Sequence, residues 1–485
     1  MGSNLASGWR KQTWRSSVIG AILVCSALSF YRAGSVPLNF DEAFVAWLSA
    51  LRGAEKVYVI SVDLLHPPLW YYLQGTWIAL TGNSELSLRL LPSLFNVLMV
   101  PLVAQFARLA GNRSVGQFAA WLWAVLPVPI LHAHYDRQHS LAVLFAALSA
   151  WCLVQTLRTR RLRWLVAMGL FNVLGVYTIY AHFFVVFLEG LVLVLYLRRA
   201  PRLFWIGGVV QVASVASLWP WYRVISNIDQ TILHAGYVPP LSAVRLVEFM
   251  RDFALWQWVP AWLLLAWLPL VIATVRLAWR NPWVNERNRP AWQILVAMGC
   301  GMPILYLMIS LRHSLLEMRY LFPMYWAAVV LWAAGWSAIS RRVWRYVTIG
   351  LFAASVCVSL VGMYTRPLLE RDDWRAAGAY LTEQVQPDSA MLFRGGQGYH
   401  PVIYYYRGPP VTYVDFAPTD GVAQFPQEDK QGRAFKMLWV VFYLVKTHAD
   451  VPQQFLPSAD SPWRIAVEQA FPGVYLIEYV RTPGD

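Results

Sequence analysis

Asn39-Phe40-Asp41-Glu42 follows the first long apolar run of a chain that has many such runs. The same polar interval continues through His66-Pro67-Pro68-Leu69-Trp70-Tyr71-Tyr72 to Gly82-Asn83-Ser84-Glu85-Leu86-Ser87-Leu88-Arg89. Two adjacent carboxylates at the mouth of an apolar span are unusual in so hydrophobic a chain. Ala43-Phe44-Val45-Ala46-Trp47-Leu48 comes next with helical spacing. That segment is predicted to lie in the membrane interface, holding the acidic pair at the surface where a general base would work.

The surroundings make this a membrane protein. Of 485 residues, 58% are hydrophobic and 14% charged, against roughly 25% charged in soluble domains. A helical crossing needs about 20 mostly apolar residues. By that measure spans are predicted near 16–31, 90–107, 115–131, 139–157, 164–180, 182–197, 203–221, 255–275, 291–310, 320–339 and 346–364, which makes about eleven. The expected fold is an all-α polytopic membrane domain, residues 1–365, followed by a small α/β domain, residues 366–485.

Charge supplies the orientation, because cytoplasmic loops collect Lys and Arg. Arg108 and Arg113, then Arg158 to Arg163, Arg198 to Arg202, Arg276 to Arg289, and Arg341 to Arg345 recur at every second interval. The N-terminus is therefore expected in the cytoplasm and the tail outside, in the plasma (inner) membrane. The net charge of +14 follows from this bias and needs no nucleic acid partner. Cys25, Cys152, Cys300 and Cys357 all fall inside spans and read as small core residues.

The tail changes composition. Asp372 and Asp373 are placed to start a helix over Trp374 to Gln384. Strands are predicted over 389–393, 411–414, 437–445 and 474–480, punctuated by Gly395-Gly396-Gln397-Gly398 and Gly408-Pro409-Pro410. A second amphipathic stretch, Leu241 to Phe253, is expected in the interface.

Candidate site residues gather at the outer ends of the spans. Pro67 and Pro68 fix the backbone beside His66. His132, His134, Asp136, Arg137 and His139 cluster after the third span, with Tyr180 and His182 at the same depth. Asp136 and Arg137 are expected to face one cleft with Asp41. If a divalent metal ion takes part, Asp41, Asp136 and His134 are the ligands on offer, although their spacing matches no specific pattern. Arg312, His313, Glu317, Arg319 and Tyr320 form the last outer cluster, and arginine suits bidentate phosphate recognition. Arg89 faces the same choice between phosphate contact and interface anchor.

The acidic pair, His66-Pro67-Pro68-Leu69-Trp70-Tyr71-Tyr72 and Ser84-Glu85-Leu86-Ser87-Leu88-Arg89 together resemble the GT-C glycosyltransferases. The nearest branch is that of the protein O-mannosyltransferases, lipid A aminoarabinose transferases and RgtA/B/C/D-like bacterial enzymes. The likeness continues through Asp136-Arg137-Gln138-His139, Tyr180-Ala181-His182 and Arg319-Tyr320-Leu321-Phe322-Pro323. It implies inverting transfer of a sugar from a polyprenyl-phosphate carrier to an acceptor hydroxyl on a lipid, glycan or protein. Asp41 would be the base beside Glu42, with His66 and Arg319 near the donor phosphate. His139 stands where many relatives have Tyr, which leaves metal dependence open.

Two other classes remain at this stage. A transporter or flippase of lipid-linked or small polar cargo would line a route across the bilayer with polar groups. The polar residues here crowd instead at outer ends. A non-catalytic assembly subunit would use the outer domain to bind a partner.

Overall fold

The computed structural model describes residues 2–63, 66–226, 240–255, 259–279, 283–313, 316–365, 372–393, 399–415, 425–426, 434–456 and 461–482, with Glu428 and Gly432. The expected Gly395 to Gly398 turn, Arg366 and residues 256–258 of one expected span lie outside them. Two compact units emerge. Unit 1 comprises Met1–Ala33, Leu51–Gly82 and Leu86–Tyr364; unit 2 comprises Gly34–Ala50, Asn83–Glu85 and Thr365–Asp485.

Unit 1 is helical. Six described helices are long and apolar enough to cross a membrane, among them α1 (Gly2–Phe30), α5 (Glu85–Ala110), α8 (His139–Thr159) and α19 (Arg342–Thr365). A seventh is counted if α6 (Arg113–Val125) and α7 (Pro127–Ala133), bent by 52°, form one span. Shorter apolar helices cover Arg163–Val176 (α9), His182–Val194 (α10) and Ala261–Leu277. Each of the eleven expected runs overlaps described helix, the run at 255–275 from Ala261 onward. The α6–α7 bend has a local cause: Pro127 offers no N–H and drives Leu126 to extended backbone at ψ 133.

Packing follows membrane rules, with small residues where helices approach. A Cβ on Gly116 of α6 would lie 2.6 Å from the Ala104 carbonyl of α5 and 2.6 Å from the Trp14 ring of α1. Polar groups tie the same three helices. Asn96 Nδ2 donates to Ser29 Oγ at 3.1 Å, and Trp123 Nε1 donates to Asn96 Oδ1 at 2.9 Å. A second node is centred on fully buried Glu189 of α10. It accepts from Ser149 Oγ of α8 and Asn172 Nδ2 of α9, both at 2.8 Å.

Unit 2 is an α/β layer built on a five-stranded sheet of order β2-β1-β3-β5-β4. β1 (Ser389–Phe393) pairs parallel with β2 (Thr412–Asp415) and β3 (Met437–Tyr443). β5 (Val474–Arg481) pairs antiparallel with β3 and with β4 (Trp463–Phe471). All of β1 is buried, as expected of a central strand covered on both faces. One face packs Trp374, Leu381, Met391 and Trp439; the other packs Leu392, Val440, Phe455 and Ile477. The helix Trp374–Gln384 starts where the sequence placed it, with Asp373 accepting from Ala376 N at 3.0 Å.

β4 had no counterpart in the sequence reading. It lies at the sheet edge, and most of its residues are at least partly exposed, so Arg464 and Glu468 hide its strand character. Unit 2 also takes in α2 (Phe40–Ala50), the helix that carries the acidic pair.

Gly116→Ala is expected to destabilise unit 1 by about 1–3 kcal/mol, because backbone on one side and an indole on the other cannot both yield. Thermal unfolding in detergent should show the lowered midpoint, and an unchanged midpoint would contradict this packing.

Candidate functional site

The acidic helix starts on a reciprocal cap. Glu42 N donates to Asn39 Oδ1 at 2.9 Å, and Asn39 N donates to Glu42 Oε2 at 3.1 Å. Glu42 is fully buried and one of its oxygens closes the cap, whereas its neighbour Asp41 is only partly buried. The two carboxylates thus divide their work: Glu42 fixes the turn from which Asp41 projects.

The rest of unit 2 holds this helix on its aromatic face. Phe40 stacks on Tyr443 at 5.8 Å, and the rings of Phe44 and Trp47 lie 4.9 and 4.5 Å from His400. Burial pushes His400 down to about 4, so it is neutral at pH 7. Just before the helix, Leu38 N donates to Tyr405 Oη at 2.7 Å. Tyr405 Oη in turn donates to Glu85 Oε1 at 2.8 Å, and Arg375 Nε reaches the same oxygen at 3.1 Å. Glu85 is therefore an anchor within this unit.

Unit 1 assembles a cationic group. Pro67 and Pro68 lead into α4 (Leu69–Thr81), whose first amide, Leu69 N, donates to the Tyr177 carbonyl at 3.0 Å. His66, placed by this start, accepts at Nε2 from Arg137 Nη2 at 2.7 Å, which makes it the neutral tautomer protonated at Nδ1. Arg137 and fully buried Asp136 lie in the turn between α7 and α8. The rings of His132 and His139 are 4.9 Å apart, and His132 lies 4.1 Å from Phe322. Arg319, on α17 (Met318–Leu321), exerts its charge on both histidines, and so His66, His132, Arg137, His139 and Arg319 share one neighbourhood.

Other expected site residues are placed elsewhere or engaged in structure. Arg89 is buried and donates to the Ala33 carbonyl at 2.7 Å. His182 joins the Glu189 node, donating from Nε2 to Asn172 Oδ1 at 3.1 Å. His134 donates to the Leu28 carbonyl at 3.1 Å, which removes that nitrogen from metal binding. Tyr180 accepts from Trp221 Nε1 at 3.1 Å, and His313 is exposed. The Tyr320 ring lies 5.4 Å from the Arg319 guanidinium. Among the described residues no group of three or more His, Cys, Asp or Glu is placed to hold a metal ion.

Residues 65–221 match the family model described as dolichyl-phosphate-mannose-protein mannosyltransferase. No curated protein matches this chain at a significant level. Among solved structures, ArnT from Cupriavidus metallidurans bound to undecaprenyl phosphate is 15% identical, with a TM-score of 0.61 and 98% of each chain covered. The chain has the GT-C glycosyltransferase fold. The arabinofuranosyltransferase AftD from Mycobacteria is 16% identical with a TM-score of 0.56, over 97% of this chain and 40% of that one. The Archaeoglobus fulgidus oligosaccharyltransferase in complex with Zn and sulfate is 11% identical with a TM-score of 0.52, over 87% and 67%.

Within this GT-C fold, sequence reasoning missed Tyr405, Arg375 and His400, the residues that fix the acidic segment. The one sequence signal for His400 and Tyr405 is the dense run His400-Pro401-Val402-Ile403-Tyr404-Tyr405-Tyr406 in an otherwise ordinary tail.

Acid should loosen this grip. The unfolded chain protonates His400 near pH 6.5 while the folded unit resists until about pH 4. Stability of the α2 packing is thus complete above about pH 6.5 and is lost as pH falls toward 4. Hydrogen exchange over residues 40–50 should quicken across that window in the native protein and far less in His400→Phe; identical profiles would refute the assignment.

Proposed function

We propose that this protein transfers a sugar from a polyprenyl-phosphate carrier to an acceptor hydroxyl at the outer face of the membrane, with inversion at the anomeric carbon. The observation that carries the reading is the His66–Arg137 pair in one neighbourhood with Arg319. A phosphate bearing a lipid chain on one side and a sugar on the other needs cations at a membrane-surface site, and two arginines with an imidazole suit it. The ArnT and archaeal relatives support the carrier class, being described in complex with undecaprenyl phosphate and dolichol-phosphate. We read the eleven helical runs as crossings, with the N-terminus in the cytoplasm and unit 2 outside.

In this mechanism Asp41 takes the proton of the acceptor hydroxyl as its oxygen attacks the anomeric carbon. The bond between that carbon and the phosphate oxygen breaks, and the electron pair leaves with the polyprenyl phosphate. Arg137 and Arg319 stabilise the charge that grows on the leaving phosphate, so no strong general acid is required. His66, held neutral by accepting from Arg137, orients that guanidinium. Glu42 positions Asp41 through its cap. The described carboxylates and histidines form no metal-binding group, so no step is assigned to a metal ion.

Asp41→Asn should lower transfer from a radiolabelled polyprenyl-phosphate sugar by about 100-fold or more while donor binding persists. Turnover close to the native level would remove Asp41 from the role of base. Arg137→Ala should instead weaken donor binding, and His66→Ala should do so more mildly, as read by titration with polyprenyl phosphate. Native affinity in Arg137→Ala would detach the cationic group from the donor.

A further inference from the structure

A second set of arginines in unit 1 has no part in the transfer reaction. A cavity of about 570 Å³ is lined by Arg108, Arg113, Arg158 and Arg287, and an adjoining one of about 360 Å³ shares Arg108 and Arg113 and adds Arg15. Among the described residues no acidic one lines either. The nearby Glu286 is paired with Arg289 at 2.8 Å. Helix α8 spans the distance to the first site, with His139 at one end and Arg158 near the other, so the two lie about 30 Å apart.

The cavity walls are built by tertiary contacts. Asn288, buried, donates to the Ala110 carbonyl at 3.1 Å, and Trp292 Nε1 reaches the same oxygen at 2.9 Å. These bonds clamp the end of α5 to the segment before α15 (Arg289–Val296). Arg158 Nε donates to the Arg287 carbonyl at 3.0 Å, and the Arg108 guanidinium lies 5.7 Å from the Trp14 ring centroid. Gathering five guanidinium groups without a carboxylate costs mutual repulsion, which a bound anion offsets. Trp151 and Leu109 add apolar wall beside them.

We infer that this cavity binds a phosphate group, supplied by an anionic phospholipid of the cytoplasmic leaflet or by a soluble phosphate. Basic pockets between membrane helices on the cytoplasmic side suit such headgroups. The apolar wall beside the arginines favours the lipid. The site is independent of donor chemistry, and failure of one reading leaves the other standing.

The test uses the full-length protein in neutral detergent, titrated separately with phosphatidylglycerol, phosphatidylcholine and inorganic phosphate, and followed by native mass spectrometry and thermal unfolding. Phosphatidylglycerol should bind at least tenfold more tightly than phosphatidylcholine. The double variant Arg113→Gln/Arg287→Gln should bind it about 10- to 30-fold more weakly. Its lipid-free unfolding midpoint should be unchanged, because neither guanidinium braces the wall. Equal stabilisation by inorganic phosphate would support the site and assign it a soluble ligand. Equal binding of the two lipids without any effect of inorganic phosphate, or native phosphatidylglycerol binding in the double variant, would overturn the inference. Should the double variant unfold, Arg113→Lys, which keeps charge but loses the fork, must show intermediate affinity for the inference to stand.

Discussion

Inside hydrocarbon a polar group has only other protein groups for company, and unit 1 is organised by that constraint. Asn96 gathers α1, α5 and α6 by bonding Ser29 and Trp123, and Glu189 gathers α8, α9 and α10 by bonding Ser149 and Asn172. Apolar side chains alone give membrane helices little reason to choose one neighbour over another. The two nodes, with small residues such as Gly116 letting backbones close in, make that choice specific. Helices fixed in this way bring the turn after α7 beside His66.

A second constraint acts on the acidic pair. A helix of eleven residues does not hold its own direction. The reciprocal Asn39–Glu42 cap fixes the start of α2, and the aromatic face of the helix encloses His400. Tyr405, Glu85 and Arg375 hold the approach to it. The C-terminal tail is thus the partner of the segment bearing Asp41. Burial of a neutral histidine in that contact makes it sensitive to acid.

Paired with the motif residues, these contacts separate aim from chemistry. Glu42, Glu85, Arg89 and His182 all stand within or beside the family-like motifs, yet each is engaged in a cap, an anchor or a helix contact. His66 and Arg137 instead bond each other across distant segments of unit 1. A residue type at a motif position states what chemistry is available there. The partners around it decide whether that chemistry is turned toward substrate or toward the fold.

The sequence by itself determined the helical membrane character, because apolar runs of span length have few other stable homes, and each expected run overlaps described helix. It also determined the helix after Asp373 and the four buried or paired strands, since capping chemistry and β-branched runs are local signals. Edge strand β4 escaped, its alternation masked by charge on the exposed side. Only the tertiary structure decided that His66 meets Arg137, 71 positions away, and that α2 joins the tail. It also turned His182 inward to Asn172 and left His313 at the surface. Hydrogen bonds between distant segments depend on how helices rotate and pack, and no periodicity within a single segment records that rotation.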